Sequence, residues 1–532
     1  MDPNRDTDRM YAYHEATKHT YASVRTSRHF LDWANMPDPF RHYEGVPVVD
    51  LPSDPRAPRT PALDVLRGTQ GCDVHHSGGE FLSRLLFYSC SISASKHVAA
   101  TGYRYSLRVN PSSGNLHPTE FHFAVRGVAG WEDGLYHYRP SSHMAELRAR
   151  GDYVSKLTAS AVPIVFVLTS IAWREAWKYR SRAYRYCLHD IGHAWQALAL
   201  SARALNVSAF ARGGFVDDEV AGVLGVRDEW PMLVVEMDGP GIPRGTGTSR
   251  DEEWLGGVPN RLSEEEIPYP LIDGIHQSTR LEIAAAARSR RESGGAGPIR
   301  LQPEAAASSR EFGAVVRTRR SALDFQGGGR TISFEQFSAM LDAALQPFAS
   351  DFGEGLIRLY CYVHRVEGLD PGLYRHDAPS GTLERIKPGD QRLWAAALSL
   401  GQDLAANSCV TFSMIADLDR AAAIHGNRGY RYAHFEAGAI GQRFYLAAEA
   451  MGFQSTGIGA FYDDDVHGYL GLFREDGQVV YHFASGYAVR DERLDAGQAR
   501  LNLTKGNPGQ GDCSFLSGKE VAFGRVRRCA SM

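Results

Sequence analysis

Residues 182–225 read RAYRYCLHDIGHAWQALALSARALNVSAFARGGFVDDEVAGVLG, and residues 428–471 read RGYRYAHFEAGAIGQRFYLAAEAMGFQSTGIGAFYDDDVHGYLG. The two stretches align without a gap at a constant offset of 246 positions, and 17 of the 44 aligned residues are identical. Self-similarity of this extent indicates a duplicated domain. A chain of 532 residues is long enough to hold both copies.

Each copy combines helical and strand patterns. Apolar residues at three- and four-residue steps predict a helix over about 184–205, and Asn206 and Gly452 are typical residues for ending this helix and its counterpart. The β-branched runs Val162 to Thr169 and Val410 to Met414 have strand character. The sequence therefore predicts an α+β fold in each copy.

The repeat divides the chain into five segments. Residues 1–60 precede the first copy, which spans 61–245, and the second copy spans 305–495. Residues 246–304 are rich in Gly, Pro, Glu and Arg, as expected for a linker that lets the copies pack face to face. Residues 496–532 lack helical or strand periodicity, so both a wrapping arm and a disordered tail are open there.

Composition narrows the classes of partner. A net charge of −4 and a pI near 6.6 give no basic field for nucleic acid or an anionic membrane. The longest apolar stretch, about Ala161 to Trp173, is shorter than a membrane-spanning helix. Seven scattered cysteines with no CxxC pair, and an amino terminus without a secretory pattern, favour a cytoplasmic location.

Two short motifs suit a ligand with a ring and a phosphate. Asn110 to Pro118 (NPSSGNLHP) offers hydroxyls, amides and open backbone that can hydrogen-bond the edge of a planar heterocycle. Arg317 to Ser321 (RTRRS), ahead of an expected strand or helix start, offers guanidinium groups and a hydroxyl to a terminal phosphate. The alternatives are a turn that enters the strand from Glu120 to Val125 and a solvated basic turn.

The pair Lys178 and Tyr179 occurs in the first copy alone, since the aligned residues are Ile424 and His425. A nearby lysine can favour the phenolate and lower the pKa of a tyrosine, as a tyrosine base requires. An exposed surface pair is the alternative. If both residues act, we expect them in a loop or at a helix entrance, because neighbouring residues on a helix face different ways.

A metal site is not expected. His189 and His193 have the i, i+4 spacing of a metal half-site, but no further ligands follow at a convincing distance. Packing and a buried hydrogen bond are the favoured roles. The chain also lacks the GxGxxG and GK[ST] phosphate-binding motifs.

Five segments in order resemble the nitroreductase superfamily and, more narrowly, the SagB-type dehydrogenases that oxidise azolines to azoles in modified peptides. They are YHEATKHTY at Tyr13, LDWANMPDPF from Leu31, NPSSGNLHP, GLYHYRP from Gly134 and WKYRSRAYRYCLHDIGH from Trp177. The resemblance implies two tandem FMN-dependent nitroreductase-like domains that form a pseudo-dimer within one chain.

In that superfamily the flavin lies between subunits, and each partner supplies part of its site. The resemblance assigns the phosphate to Arg319, Arg320 and Ser321 of copy two, with Arg490 as a further contact, and the flavin ring to Pro111, Ser112, Ser113 and Asn115 of copy one and to Gly459 and Ala460. The reciprocal site lacks both motifs, because Tyr88-Ser-Cys-Ser-Ile replaces the arginines. We therefore expect one FMN per chain.

The resemblance also implies an activity. Lys178 and Tyr179 match the catalytic pair of azoline oxidases, so the expected reaction is oxidation of peptide thiazolines or oxazolines to thiazoles or oxazoles, with a precursor peptide as substrate and a cyclodehydratase as a possible partner. One alternative is an NAD(P)H-dependent nitro- or quinone-reductase, which would share the flavin site. The other is a non-catalytic scaffold that binds a peptide within a modifying complex.

Overall fold

The computed structural model describes residues 3–494 except 28, 74, 76, 99–101, 248–250, 285–296 and 354. The first half contains strands β1 Tyr43–Glu44, β2 Val48–Asp50, β3 Ile92–Val98, β4 Tyr103–Arg108, β5 Thr119–Val125, β6 Gly134–Arg139, β7 Met144–Arg150, β8 Ile164–Ser170, β9 Ser208–Arg212, β10 Trp230–Asp238, β11 Glu253–Trp254 and β12 Val258–Pro259. The second half contains β13 Ile299–Arg300, β14 Ile332–Ser333, β15 Ile357–Val363, β16 Val366–Glu367, β17 Gly372–Asp377, β18 Thr382–Pro388, β19 Val410–Ala416, β20 Gln454–Ile458 and β21 Gln478–Gly486.

Helices accompany both sets of strands. Those of the first half and the connecting region are α1 Asp8–Ala16, α2 Tyr21–Arg25, α3 Ala62–Arg67, α4 Gly78–Phe87, α5 Val154–Leu157, α6 Ala172–Tyr179, α7 Ala183–Ala204, α8 Asp217–Leu224 and α9 Pro270–Ser278. Those of the second half are α10 Phe312–Thr318, α11 Phe334–Ala344, α12 Arg392–Leu398, α13 Asp403–Asn407, α14 Leu418–His425, α15 Arg428–Ala450 and α16 Asp463–Leu470. No helix in these described ranges is both long enough and apolar enough to cross a bilayer.

The two halves share one sheet topology. The first sheet has the order β7-β6-β5-β8-β10-β9, and the second repeats it as β18-β17-β15-β19-β21-β20. The central strands β8 and β19 are buried along their whole length, as their β-branched and aromatic residues require. The α+β class and the duplication are confirmed, and the predicted 184–205 helix corresponds to α7.

Helices α7 and α15 pack against each other at the centre of the molecule. A Cβ added to Gly192 would lie 2.2 Å from the carbonyl oxygen of Phe435, and one added to Gly438 would lie 2.1 Å from that of His189. No side chain fits at this crossing, so both copies need glycine there. This contact explains one pair of identities in the repeat.

Buried ion pairs cross between the copies in both directions. Arg182 and Arg185 at the start of α7 bind the Asp463 carboxylate at 3.0 and 2.8 Å. Arg428 and Arg431 at the start of α15 bind Asp217 at 2.7 and 2.8 Å in the same way. The R-x-Y-R motif and the aspartate are therefore repeated because each copy supplies one half of the other's ion pair.

The segments outside the repeat also pack into this centre. Thr17, just after α1, accepts a hydrogen bond from Arg182 through its carbonyl oxygen at 2.6 Å. In the predicted linker, Thr279 follows α9, and its hydroxyl lies 2.9 Å from the Tyr184 hydroxyl and 2.8 Å from Nε of Arg431. The linker thus adds interior contacts besides joining the copies. Residues 496–532 lie outside the described residues.

Candidate functional site

The predicted ligand motifs of the two copies meet. Arg319 of copy two donates from Nε to the carbonyl oxygen of Val109 at 3.1 Å and from Nη2 to that of Arg108 at 3.3 Å. Val109 directly precedes Asn110 and Pro111, where the NPSSGNLHP loop of copy one begins. The tertiary structure therefore brings together two motifs whose contacting residues, Val109 and Arg319, are 210 positions apart in the chain.

Three guanidinium groups of the RTRRS stretch lie close together, and the Glu449 carboxylate opposes only part of the effect of burial on the pKa of Arg319 and Arg320. Arg317 donates to the Ser91 hydroxyl at 2.8 Å, and Arg320 donates to the carbonyl oxygens of Arg319 and Ser93 at 2.6 and 3.1 Å. None of the three forms an ion pair with a carboxylate in the part of the chain that the structure describes. Burial lowers the pKa of Arg320 to about 10, and the neighbouring Arg319 and Arg317 add to the shift.

This cluster is suited to an anion. The Nη1 atom of Arg319 is buried with no hydrogen-bond partner among the described residues. An unpaired buried guanidinium nitrogen beside two further arginines matches the geometry that binds phosphate. The stretch follows the end of α10 rather than preceding a strand or helix as the sequence predicted, because Arg317 and Thr318 still belong to the last turn of that helix.

Ser321 lies at the edge of the cluster. Its hydroxyl is 2.8 Å from the hydroxyl of Tyr445, which also accepts the Gly457 N–H at 3.0 Å. A short parallel bridge joins Ser321 to Ser455 at the start of β20. Arg490, the further predicted phosphate contact, is exposed after β21.

The side chains of the copy one loop also make hydrogen bonds within the protein. The Ser112 and Ser113 hydroxyls donate to the Asp190 carboxylate at 2.6 and 3.0 Å. Asn115 donates to the carbonyl oxygen of Ser106 at 3.0 Å. These side chains hold the loop in shape, and Gly114, with φ +60°, stands exposed at its apex.

Lys178 and Tyr179 both reach this apex. A Cβ added to Gly114 would lie 2.7 Å from the Tyr179 hydroxyl and 3.2 Å from Nζ of Lys178. The two residues occupy the end of α6, which stops at Tyr179 because Arg180 has a left-handed φ of +53°. Both residues therefore lie at the C-terminal end of a helix, where a loop or a helix start was predicted. The backbone changes direction after Tyr179, which lets both side chains approach Gly114.

The electrostatics of the pair reverse the expected roles. Burial raises the pKa of Tyr179 well above its usual value, and Glu175 raises it further. Burial also lowers the pKa of Lys178, while Glu175 acts weakly in the opposite direction. These directions oppose a tyrosine phenolate, because desolvation disfavours the charged form of the phenol.

Gly459 and Ala460 of copy two lie on the other side of the site. A Cβ on Gly459 would collide with the Tyr186 ring at 2.3 Å, and the Tyr186 hydroxyl donates to the carbonyl oxygen of Gly459 at 3.0 Å. The rings of Tyr186 and Tyr179 lie 4.5 Å apart. Ala460 accepts a hydrogen bond from Gln402 at 3.1 Å. Gly459 thus lies one aromatic ring away from the Lys178 and Tyr179 pair.

Gly213, the repeat counterpart of Gly459, carries one aromatic neighbour more than Gly459. A Cβ on Gly213 would meet Tyr432 at 2.4 Å, as one on Gly459 would meet Tyr186, and would also meet Phe352 at 2.8 Å. The rings of Phe352 and Tyr432 stack 4.5 Å apart.

The two histidines of α7 have packing roles. His189 stacks on the Tyr481 ring at 4.2 Å, and His193 lies 3.2 Å from the Tyr481 hydroxyl. Sequence reasoning missed a different feature beside them, a buried carboxyl pair formed by Glu175 and Asp190. No motif signals it, because the two residues are 15 positions apart on different helices.

The model of the nitroreductase family matches residues 95–239 and 316–487, which together are more than half of the chain. The chain therefore belongs to the nitroreductase family, with two family segments in tandem. The crystal structure of a nitroreductase-type protein from Anabaena variabilis superposes with a TM-score of 0.71 at 26% identity, and the superposition covers 90% of this chain and 99% of that one.

Two named proteins match one part of the chain each. MJ1384 of Methanocaldococcus jannaschii, which its name places among the nitroreductases, is 29% identical over 110 residues. The trifolitoxin operon protein TfxC of Rhizobium leguminosarum bv. trifolii is 29% identical over 119 residues. These matches cover 21% and 22% of this chain, and they span 56% of the first protein and 33% of the second.

Proposed function

We propose that the protein is an FMN-dependent dehydrogenase that oxidises peptide thiazolines or oxazolines to thiazoles or oxazoles in the biosynthesis of a ribosomally made, modified peptide. The observation that carries the proposal is the position of Lys178 and Tyr179. Both side chains converge on Gly114 in a site built from both copies, and the reciprocal site has neither residue. A base at this point suits removal of a ring proton.

The residues present fit FMN. Arg317, Arg319 and Arg320 would hold the phosphate, with Ser321 beside them, because Nη1 of Arg319 is buried without a hydrogen-bond partner among the described residues. Pro111 to Asn115 and Gly459 to Ala460 would border the ring from opposite sides. We propose one FMN per chain, since the reciprocal region lacks counterparts of these arginines.

The chain's own residues divide the work of dehydrogenation. Bound FMN supplies a two-electron acceptor. Lys178, whose pKa is lowered by burial, takes the acidic ring proton as a neutral amine. Tyr179 stays protonated, because its pKa is raised, and its hydroxyl can donate a hydrogen bond that orients the substrate.

The biological setting rests on one relative. The name of TfxC places that protein in the trifolitoxin operon. We propose by analogy that the partners of this chain are an azoline-containing precursor peptide and other modifying enzymes, such as a cyclodehydratase.

The test uses Lys178→Ala and Tyr179→Phe with an azoline peptide and mass spectrometry, which reads the loss of two hydrogens. We expect Lys178→Ala to reduce kcat by about 10² to 10⁴, as for loss of a general base, and Tyr179→Phe to reduce it less. Ile424→Ala, at the position aligned with Lys178, is the matched control and should leave turnover unchanged. Flavin absorbance must persist in all three.

Full turnover in both site variants contradicts the proposal. Steady NAD(P)H consumption with a quinone, without azoline oxidation, would instead identify a nitro- or quinone-reductase. A protein that stays colourless after incubation with FMN would favour the non-catalytic scaffold.

A further inference from the structure

Two buried carboxyl groups face each other beneath the Gly114 loop. Glu175 of α6 is 0% exposed and Asp190 of α7 is 2% exposed. Asp190 accepts the Ser113 N–H at 3.1 Å and the Ser112 and Ser113 hydroxyls. Neither oxygen of Glu175 meets a donor in hydrogen-bond geometry among the described residues. Two such groups in contact cannot both be ionised, so the pair requires a proton.

The pair belongs to one copy. The residue aligned with Asp190 is Glu436, which accepts backbone N–H groups of Gly355, Leu356 and Ile357 at 3.0 to 3.1 Å. Its oxygens are satisfied, and its role is to hold the loop before β15. The residue aligned with Glu175 is Ala421. Asp190 keeps the loop-holding role in copy one, and Glu175 is an addition to it.

Glu175 has one cation close to it on the same helix face. Lys178 stands three residues further along α6, and positions i and i+3 are neighbours on a helix surface. The other titratable groups around the pair are Tyr179 on the same helix, Tyr186 and Cys187 on α7, and Tyr481 on β21. These are neutral near pH 7, because burial raises the pKa of each. The charge that Lys178 senses thus comes from the carboxyl pair.

We propose that Glu175 and Asp190 share one proton, and that the single negative charge of the pair sets the proton affinity of Lys178. This makes Glu175 a positioning residue, and the inference rests on the proposed function. Two negative charges would keep Lys178 permanently protonated and unable to act as a base. No charge would leave a desolvated amine with too little affinity for the substrate proton.

The directions of the pKa values agree with this arrangement. Burial and the neighbouring Asp190 raise the pKa of Glu175 well above its usual value. Burial raises the pKa of Asp190 to about 7, although the two serines oppose the shift. The pair is therefore uncharged in acid and carries one charge above about pH 7.

The test compares Glu175→Gln with Glu436→Gln in the full-length flavoprotein. Glu175→Gln cannot exchange the shared proton, so the charge is fixed on Asp190 and none of it reaches the carboxyl beside Lys178. We therefore expect the acidic limb of kcat/KM to move to lower pH by about one unit. We also expect a kcat about tenfold lower at the optimum, since a weaker base is a poorer proton acceptor. Flavin content and KM should stay within twofold. Glu436→Gln should lower Tm and leave the acidic limb in place.

A second readout does not require turnover. Because the folded-state pKa of both acids is raised, their contribution to stability is present in acid and is lost as pH rises from about 4 through about 7. Glu175→Gln removes the contribution of Glu175 to this loss of stability with rising pH. The Tm of the variant should therefore equal that of the wild type at pH 5 and exceed it at pH 8. Parallel Tm curves for the two proteins, or an unmoved acidic limb, would overturn the inference.

The two readouts separate this inference from the proposed function. If the wild type does not oxidise azolines, the proposed function fails, and the Tm curves still decide whether the pair shares a proton. If the wild type is active and Glu175→Gln matches it in both readouts, only the inference on Glu175 fails.

Discussion

Two regions of the molecule are related by the repeat and carry different side chains. In the composite site, Gly114 is exposed beneath Lys178 and Tyr179, and Nη1 of Arg319 has no hydrogen-bond partner among the described residues. In the reciprocal site, Phe352 stacks on Tyr432, and Tyr88 stands in place of the arginines with its hydroxyl bonded to the carbonyl oxygen of Pro55. Similar backbones thus support opposite environments.

The difference teaches which parts of a duplicated fold are free to diverge. The helix crossing and the exchanged ion pairs each join both copies. A side chain at Gly192 or Gly438 would disturb the crossing, and loss of Asp217 or Asp463 would leave arginines of the other copy without their carboxylate. Each ligand contact belongs to one site. When one site is enough for function, the ligand-binding residues of the other site can be replaced by apolar side chains that stabilise the interface.

The largest expected effect is on ligand binding in Arg319→Ala. Removal of a buried guanidinium that faces a phosphate costs about 3 kcal/mol or more, since charge-assisted hydrogen bonds are worth about 1.5–3 kcal/mol each. We expect FMN affinity to fall at least a hundredfold, as measured by flavin absorbance after equilibrium dialysis. Arg375→Ala, at a half-exposed position on β17, is the control. Full flavin content in Arg319→Ala would contradict the composite site.

The exchanged ion pairs allow a matched comparison. Asp217→Asn and Asp463→Asn should each cost about 3–5 kcal/mol of unfolding free energy, because each leaves two buried arginines without their anion. Asp463 lies beside the open site through Arg182, which also contacts the carbonyl oxygen of Gly459. We therefore expect Asp463→Asn alone to lose flavin affinity. Denaturant unfolding and flavin titration of both variants measure this.

The same aspartates predict the acid response. Burial opposes ionisation of Asp217, but Arg428 and Arg431 outweigh it and hold its pKa below the usual value. A lowered folded-state pKa gives stability that is present at neutral pH and is lost as pH falls below about 4. Asp217→Asn should flatten the decline of Tm in that acid range. An unchanged slope would show that the ion pair does not control acid unfolding.

Phe352→Ala tests whether the reciprocal site is a remnant or a second binding site. Truncation of a buried aromatic ring should cost about 3–5 kcal/mol of unfolding free energy. We expect the flavin stoichiometry to stay at one per chain, because this site still lacks the arginines. Binding of a second FMN to the variant would break the proposed division between the sites.

Ser113→Ala is the smallest change. It removes one hydroxyl from Asp190, while the Ser113 N–H and the Ser112 hydroxyl remain. Loss of one such bond costs about 1 kcal/mol, so flavin affinity should fall about fivefold. A loss as large as that of Arg319→Ala would mean that the hydroxyl itself contacts the flavin.

The sequence predicted which residues belong to the site better than it predicted their protonation states and contacts. Lys178, Tyr179 and the arginines were found because they break the repeat or form a dense motif, and the structure places them at the two ends of one loop, at Gly114 and Val109. The base stayed open between Lys178 and Tyr179, because the pKa of Tyr179 depends on burial and on Glu175, and neither can be read from adjacent residues. The assignment of the serines to the ring stays a prediction, and their hydroxyls donate to Asp190.

The sequence by itself determined the duplication, the α+β class of each copy and the asymmetry between the copies, because periodicity, glycine positions and missing motifs are local signals. Only the tertiary structure decided which residues share an environment. Asp463 pairs with Arg182, Arg319 contacts Val109, and Glu175 faces Asp190 through packing of distant segments. Desolvation and charge pairing depend on that packing, so the directions of the pKa shifts in the site follow only from the folded structure.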